Sequence, residues 1–252
     1  MSSVTRFYQW ITSSPSLFET RLPFVSLSHL NATVPNDIEP YQGNARLGFL
    51  YQYLCSKLLR QSTQYQIELE EVQLQNNGKT LGALDFLLLN RESGQFEHWE
   101  VAIKFYLLLD GKWYGPNAQD RLDKKLDHML NHQLKMSCST AFVQQYGQYQ
   151  HSQPRLLMQG RLYINPFLPQ DIPTHCLGYP INPDTIAGYW CFAHQWPQIN
   201  QPLYELSKAD WAAGGMAAAD APAVEKPQKR FIHAQSRNGQ FWFIVPDNWP
   251  HG

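Results

Sequence analysis

The chain has 252 residues, 43% of them hydrophobic and 16% charged, with a formal net charge of -1. That apolar fraction is enough to bury a core and excludes default disorder. The near-zero net charge excludes binding a phosphate backbone through an overall basic field, so any nucleic-acid contact needs a local patch. Four cysteines, Cys55, Cys138, Cys176 and Cys191, are far apart and form no C-x-x-C pair. They argue against a structural zinc site or redox motif, and for free thiols in a reducing compartment. No basic segment followed by an apolar run opens the chain, and no stretch of about 18 apolar residues occurs. The expected location is the cytoplasm, with no membrane partner.

In chain order, FYQWITSSPSLF predicts a short docking helix with Phe7, Trp10 and Ile11 on one side, broken at Ser14-Pro15. NARLGFLYQYLCSKLLRQS spaces Leu47, Leu50, Tyr51, Leu54 and Leu58 at three- and four-residue intervals, the pattern of an amphipathic helix. Alternation from Tyr65 to Gln75, the turn signal Asn77-Gly78 and an apolar run from Thr80 to Asn90 predict a hairpin. Ser93-Gly94 is read as a second two-residue turn into a third strand from Phe96 to Leu109.

After WYGPN, a helix is expected to place Ala118, Leu122, Leu126, Met129, Leu130 and Leu134 on one face, with Asp120, Lys124, Asp127, His128 and Asn131 toward the other. RLLMQGRLYINPF reads as one or two further strands, and the Pro- and aromatic-rich stretch to about residue 205 gives no clear period. Residues 212–229 are small and proline-containing, a predicted flexible linker. Residues 230–252, with Asn238-Gly239, read as a terminal hairpin packing on a main domain of residues 1–211. The order helix, three strands, helix, strand predicts an α/β or α+β fold.

LGALDFLLLNRESGQFEHWEVAIKF, residues 81–105, carries Asp85, Glu100 and Lys104 inside apolar strands. Alternation sets Glu100, Ala102 and Lys104 on one face and Val101, Ile103 and Phe105 on the core face. A two-residue turn at Ser93-Gly94 pairs Asp85 with Ala102, leaving Glu100 and Lys104 on diagonals about 7–8 Å away. The same count around Asn77-Gly78 puts Glu70 opposite Asp85. Two carboxylates suit Mg²⁺, which takes hard oxygen ligands and keeps waters. A nearby lysine can orient water or neutralise a phosphate. The same charges are also expected on a sheet face that only looks at water.

At these residues the chain resembles the bacterial domain-of-unknown-function family eighteen fifty-three. The resemblance rests on LGALDFLL, HWEVAIKFYLLL and YGPNAQDRLDKKLDHMLNHQL, with weaker likeness at SPSL and VPDNWP. That family is similar to divergent PD-(D/E)XK nucleases, which implies a restriction-endonuclease-like α-β-β-β-α-β core with a mixed sheet and a divalent-metal site on its central strands. The resemblance assigns the superfamily aspartate to Asp85 and the lysine to Lys104. The usual acidic position two residues before the lysine holds Ala102, so Glu100 has to serve one pleat repeat earlier. Gln52 stands where many relatives carry a glutamate on the first core helix, and Glu70 is a candidate substitute.

The expectation is a nuclease hydrolysing nucleic-acid phosphodiesters with Mg²⁺ or Mn²⁺ held by Asp85, Glu100 and Glu70. The alternative is a catalytically inactive module of the same fold that binds nucleic acid or a protein. Lys124 and Lys125 are candidate phosphate contacts, weighed against pairing with Asp120, Asp123 and Asp127 on a solvated face. Gln133 is a candidate for lining the site, His98 for joining the metal shell or acting as an acid or base, and Trp113 and Tyr114 for stacking bases. No segment reads bases recognisably, and none sets an oligomeric state.

Overall fold

The computed structural model describes residues 2–28, 30, 38, 41–76, 78–215, 223–225 and 230–251. Its elements in order are α1 (Ser3–Ser13), α2 (Leu47–Gln61), β1 (Tyr65–Asn76), β2 (Lys79–Asn90), β3 (Gln95–Leu109), β4 (Lys112–Tyr114), α3 (Leu122–Asn131), α4 (Thr140–Tyr146), β5 (Gln153–Ile164), β6 (His175–Cys176), β7 (Tyr179–Pro180), β8 (Ile186–Phe192), β9 (Leu203–Glu205), β10 (Ile232–Ser236) and β11 (Phe241–Val245). Among the described residues, nine strands form one mixed sheet in the order β1-β2-β3-β5-β8-β11-β10-β9, with β4 paired to β3. Pairs β3/β5, β5/β8 and β8/β11 are parallel and the rest are antiparallel. With the short β4 and α4 set aside, α2-β1-β2-β3-α3-β5 follow the α-β-β-β-α-β order that the resemblance implies.

Helices cover both faces of the sheet. On one face, Phe7, Tyr8 and Ile11 of α1 and Tyr51, Leu54 and Leu58 of α2 pack with Phe86, Trp99, Ile103 and Leu157. On the other, Leu122, Leu126 and Met129 of α3 pack with Ala102, Tyr106, Met158 and Leu162. Both faces of β3 and β5 are therefore apolar, as expected where a parallel pair is buried between helix layers. Gln159 is the polar pin of the first layer. It accepts from the Tyr51 hydroxyl at 2.8 Å and donates to the Ile11 and Ser14 carbonyls at 2.9 and 2.6 Å, satisfying the end of α1.

Gly160 of β5 lies beside Lys104 of β3 with φ +156°, and a Cβ added there would fall 1.6 Å from the Lys104 carbonyl oxygen. Only glycine allows the two strands this approach.

Three features differ from the sequence expectation. The β2–β3 connection is a four-residue turn, Arg91 to Gly94, because Asn90 pairs with Gln95 and accepts at its side chain from the Glu92 and Ser93 amides. The register moves by two residues from the one expected, which takes Asp85 off Ala102. In β1–β2, Asn76 pairs with Lys79 and Gly78 has φ 75°, as a two-residue connection requires, while Asn77 lies outside the described residues. A register shift between Leu74 and Gln75 then brings Glu70 opposite Phe86 instead of Asp85. Glu70 consequently turns to the α2 layer and pairs with Arg60.

The expected linker at 212–229 starts inside packed chain. Ala212 is fully buried with its carbonyl accepting from Arg161 at 2.8 Å, and Ala223 bridges Tyr204. Residues 216–222 and 226–229 lie outside the described residues. The terminal hairpin β10–β11 belongs to the main sheet, through β11 on β8 and β10 on β9. The Pro- and aromatic-rich stretch supplies β8 and β9, which its sequence does not announce.

Candidate functional site

The site begins with a gap in a strand ladder. On one edge β3 pairs continuously with β5 from Glu97 to Leu107. On its other edge, β2 pairs only with residues 95–99 and β4 only with 107–109. Residues 100–106 between them have no strand partner on that edge among the described residues. A cavity of about 350 Å³ opens there, lined by Asp85, Ala102, Lys104, Gln52 of α2, and Lys125 and Gln133 from the α3 side.

Where the ladder ends, side chains replace it. Asp85 Oδ2 accepts from the Val101 amide at 2.9 Å, and Glu100 Oε1 accepts from the Asp85 amide at 3.3 Å. The Asp85 amide thus ties the two acids together across the end of the ladder. Burial, then repulsion from Glu100, raises the Asp85 carboxyl well above the usual range, and burial pushes Glu100 up to about 7. The pair therefore holds a proton where separate surface carboxylates would be ionised.

Glu100 is fully buried and fixed from two sides. His98 Nε2 lies 2.9 Å from Oε1, with its Nδ1 3.0 Å from Ser137 Oγ, and Gln133 donates to Oε2 at 2.9 Å. Burial lowers His98 to about 4, so the ring is neutral. Gln133 in turn accepts from Lys125 Nζ at 3.1 Å. Gln133 and Ser137 belong to the 3-10 helix Gln133–Cys138 that follows α3, so one short element aims both supports at Glu100.

Lys104 shares the Glu100 face, as alternation predicts, but it does not stand between the two acids as their counter-ion. Its Nζ donates to Asp120 Oδ2 at 2.6 Å, and the Tyr106 hydroxyl donates to Asp120 Oδ1 at 3.1 Å. Asp120, in the loop before α3, thus positions the lysine at the cavity wall.

The structure gathers Asp85, Glu100, Lys104, Gln133, Gln52 and His98 at or beneath this cavity and leaves four expected residues away from it. Glu70 is on the opposite sheet face. Lys124 is exposed on α3, and Lys125 is the lysine that lines the cavity. Its place was legible, since Leu122, Lys125 and Met129 fall on one helical stripe. Burial, then the neighbouring Lys104 charge, lowers the Lys125 pKa. Trp113 is buried in the α3-side core, and Tyr114 packs edge-on against Trp249 with Arg121 over its ring, so neither presents a face to the cavity.

Among the described residues, no group of three or more His, Cys, Asp or Glu side chains is gathered as a metal site. The donor chemistry nevertheless fits a hard divalent cation. Mg²⁺ usually takes one or two carboxylates and completes its shell with water and phosphate oxygens. Each ionised carboxylate offers about four lone-pair positions, more than the present hydrogen bonds of Asp85 or Glu100 use.

Fold and site together define a mixed α/β protein with an acidic pair and two lysines at an interrupted central strand. Residues 6–240 match the family described as Domain of unknown function (DUF1853), and the chain belongs to that family. No curated protein and no solved structure matches it. No helix among the described residues is long and apolar enough to cross a membrane.

Proposed function

We propose that this protein is a divalent-metal-dependent hydrolase of nucleic-acid phosphodiesters, with Mg²⁺ or Mn²⁺ held by Asp85 and Glu100. The observation that carries the reading is the meeting of Asp85 and Glu100 at the unpaired edge of β3, Glu100 buried behind a cavity that Asp85 lines together with Lys104 and Lys125. When bound, the cation lowers the pKa of water and offsets charge on the scissile phosphate.

The chain's own residues do the rest. Asp85 and Glu100, once deprotonated, present oxygens from adjacent strands. Gln133 and His98 hold the Glu100 carboxyl in one orientation. Lys104, steadied by Asp120, orients the attacking water or takes a phosphate oxygen, and Lys125 supplies a second positive charge at short range. A cytoplasmic setting agrees with four free cysteines.

A second reading, a silent module of the same fold that binds nucleic acid or protein, draws on the existing tie between Lys104 and Asp120 and on the complete burial of Glu100. Calorimetric Mn²⁺ titration together with cleavage assays on single- and double-stranded substrates separates the two. The hydrolase binds Mn²⁺ and cuts, and Asp85→Ala does neither. A parent protein that binds no metal leaves the silent module.

A further inference from the structure

Lys104 lines two cavities. Beyond the one that Asp85 lines is a second, of about 270 Å³, which shares Arg46, Gly48, Ile103 and Lys104 with the first. Its character is different: Phe105, Pro116, Trp211 and Phe231 supply an aromatic and apolar wall, and Lys208 stands at its rim. Trp211 is set edge-on against Phe105, at 5.9 Å and 83°, and against Phe231, at 6.3 Å and 73°. This corner of rings is held from behind by Phe243 and His233.

A second observation is independent of the cavity. Among the described residues, six large hydrophobic side chains are exposed, and the only two aromatic ones are Phe49 and Phe231. Phe49 lines the acidic cavity and Phe231 the aromatic one. Two rings left partly in water beside these cavities offer flat apolar faces on which a base can stack. The cations specify that partner further. Arg46 and Lys208 are exposed at the rim of the second cavity and make no ion pair among the described residues. Rings alternating with unpaired cations suit a chain that alternates bases with phosphates.

We propose that the second cavity is a subsite for an unpaired nucleotide, seating a base against Trp211 and Phe231 while Arg46 and Lys208 take the flanking phosphates. It selects single-stranded nucleic acid. The proposal rests on the hydrolase reading for the position of the scissile phosphate, beside Lys104, and extends it to a substrate class. In a duplex the bases are stacked and paired, so none can enter a ring-walled pocket without first being unstacked. A single strand, DNA or RNA, offers every base's face at little cost.

The test is fluorescence anisotropy with labelled oligothymidylate, oligouridylate and a mixed-sequence duplex of equal length, in EDTA so that binding is read without cleavage. The proteins are the full-length parent, Phe231→Ala, Phe49→Ala and Lys208→Ala. All three side chains are exposed, so folding is not at stake, and unchanged circular dichroism verifies it. At least one single strand should bind more tightly than the duplex. Phe231→Ala should weaken it about tenfold, the scale of one lost base–aromatic stack. Lys208→Ala should weaken binding and lower the salt dependence by about one phosphate contact.

Equal affinity for single strand and duplex, no measurable single-strand binding, or a Phe231→Ala variant that binds as the parent does would each overturn the subsite. The two proposals fail separately. Single-strand binding with the expected Phe231 dependence but no Mn²⁺-dependent cleavage supports the subsite and rejects the hydrolase. Cleavage with no effect of Phe231→Ala does the reverse.

Discussion

Asp85 and Glu100 trade side chain for backbone across the end of the β2–β3 ladder: the Asp85 carboxylate takes the Val101 amide at 2.9 Å, and Glu100 takes the Asp85 amide at 3.3 Å. Each acid thereby does structural duty before any chemistry is asked of it, and stability and metal binding become separable by substitution. Asp85→Asn keeps an oxygen for the Val101 amide and should melt close to the parent. Asp85→Ala leaves that donor without its acceptor and should cost about 1–2 kcal/mol. Both should lose Mn²⁺ binding. Thermal melts and calorimetric titration check this, and an Asn variant that binds Mn²⁺ like the parent would remove the pair as the metal site.

Lys104 and Asp120 have side chains 26% and 32% exposed, so their ion pair lies in a screened setting. Lys104→Met should therefore change stability by less than about 1 kcal/mol. It should leave Mn²⁺ affinity unchanged or higher, since a nearby positive charge is gone, while abolishing cleavage. Full cleavage by this variant would mean that the lysine has no part in the reaction.

The neighbouring lysines of α3 give an internal control. Lys125 lines the acidic cavity and bonds Gln133, whereas Lys124 is exposed. Lys125→Met should lower cleavage at least tenfold, while Lys124→Met should match the parent in both cleavage and melting temperature. Equal losses from both would show a diffuse charge effect in place of a local contact.

His233 carries a pH prediction away from the site. It is buried, stacked on Phe243 at 4.1 Å with its Nε2 2.9 Å from the Tyr163 hydroxyl, and burial, then the Arg161 charge, holds it well below the ordinary imidazole value of 6.5. Below pH 6.5 the unfolded chain takes up a proton at this residue and the folded chain does not. Its contribution to stability is therefore present above that pH and lost as pH falls, by up to about 1.4 kcal/mol per pH unit. His98 acts in the same sense, and the raised carboxyls of Asp85 and Glu100 in the opposite one, so a difference measurement is needed. His233→Gln cannot titrate. In urea melts, the parent's stability advantage over this variant at pH 7 should shrink by pH 5.5, and a constant gap would contradict the assignment.

Much of the frame was legible from periodicity. The three- and four-residue spacing of Leu47 to Leu58 marks α2, and alternation from Phe96 onward puts Glu100 and Lys104 on one face. That face survived the wrong turn length because a two-residue slip preserves which way side chains point. The one-residue shift near Leu74 did not preserve it, and it moved Glu70 to the other layer. Nothing local announces such a bulge. The partner of Lys104 was hidden for another reason: Asp120 lies 16 positions along the chain and meets it only when α3 docks. Trp211 was equally silent, sitting just before a small-residue stretch that reads as a linker, and its company of Phe105 and Phe231 is assembled only by the sheet.

Gly160 touches neither cavity, yet it decides where Lys104 stands. The room that β3 needs against β5 is the room a methyl group would fill, so even alanine there must drive the Lys104 backbone aside. A relative could retain every acid, lysine and ring of the two cavities and still be disarmed by one added carbon on the neighbouring strand. Judging which relatives keep the geometry of these cavities thus means checking a position whose contribution is an absent atom.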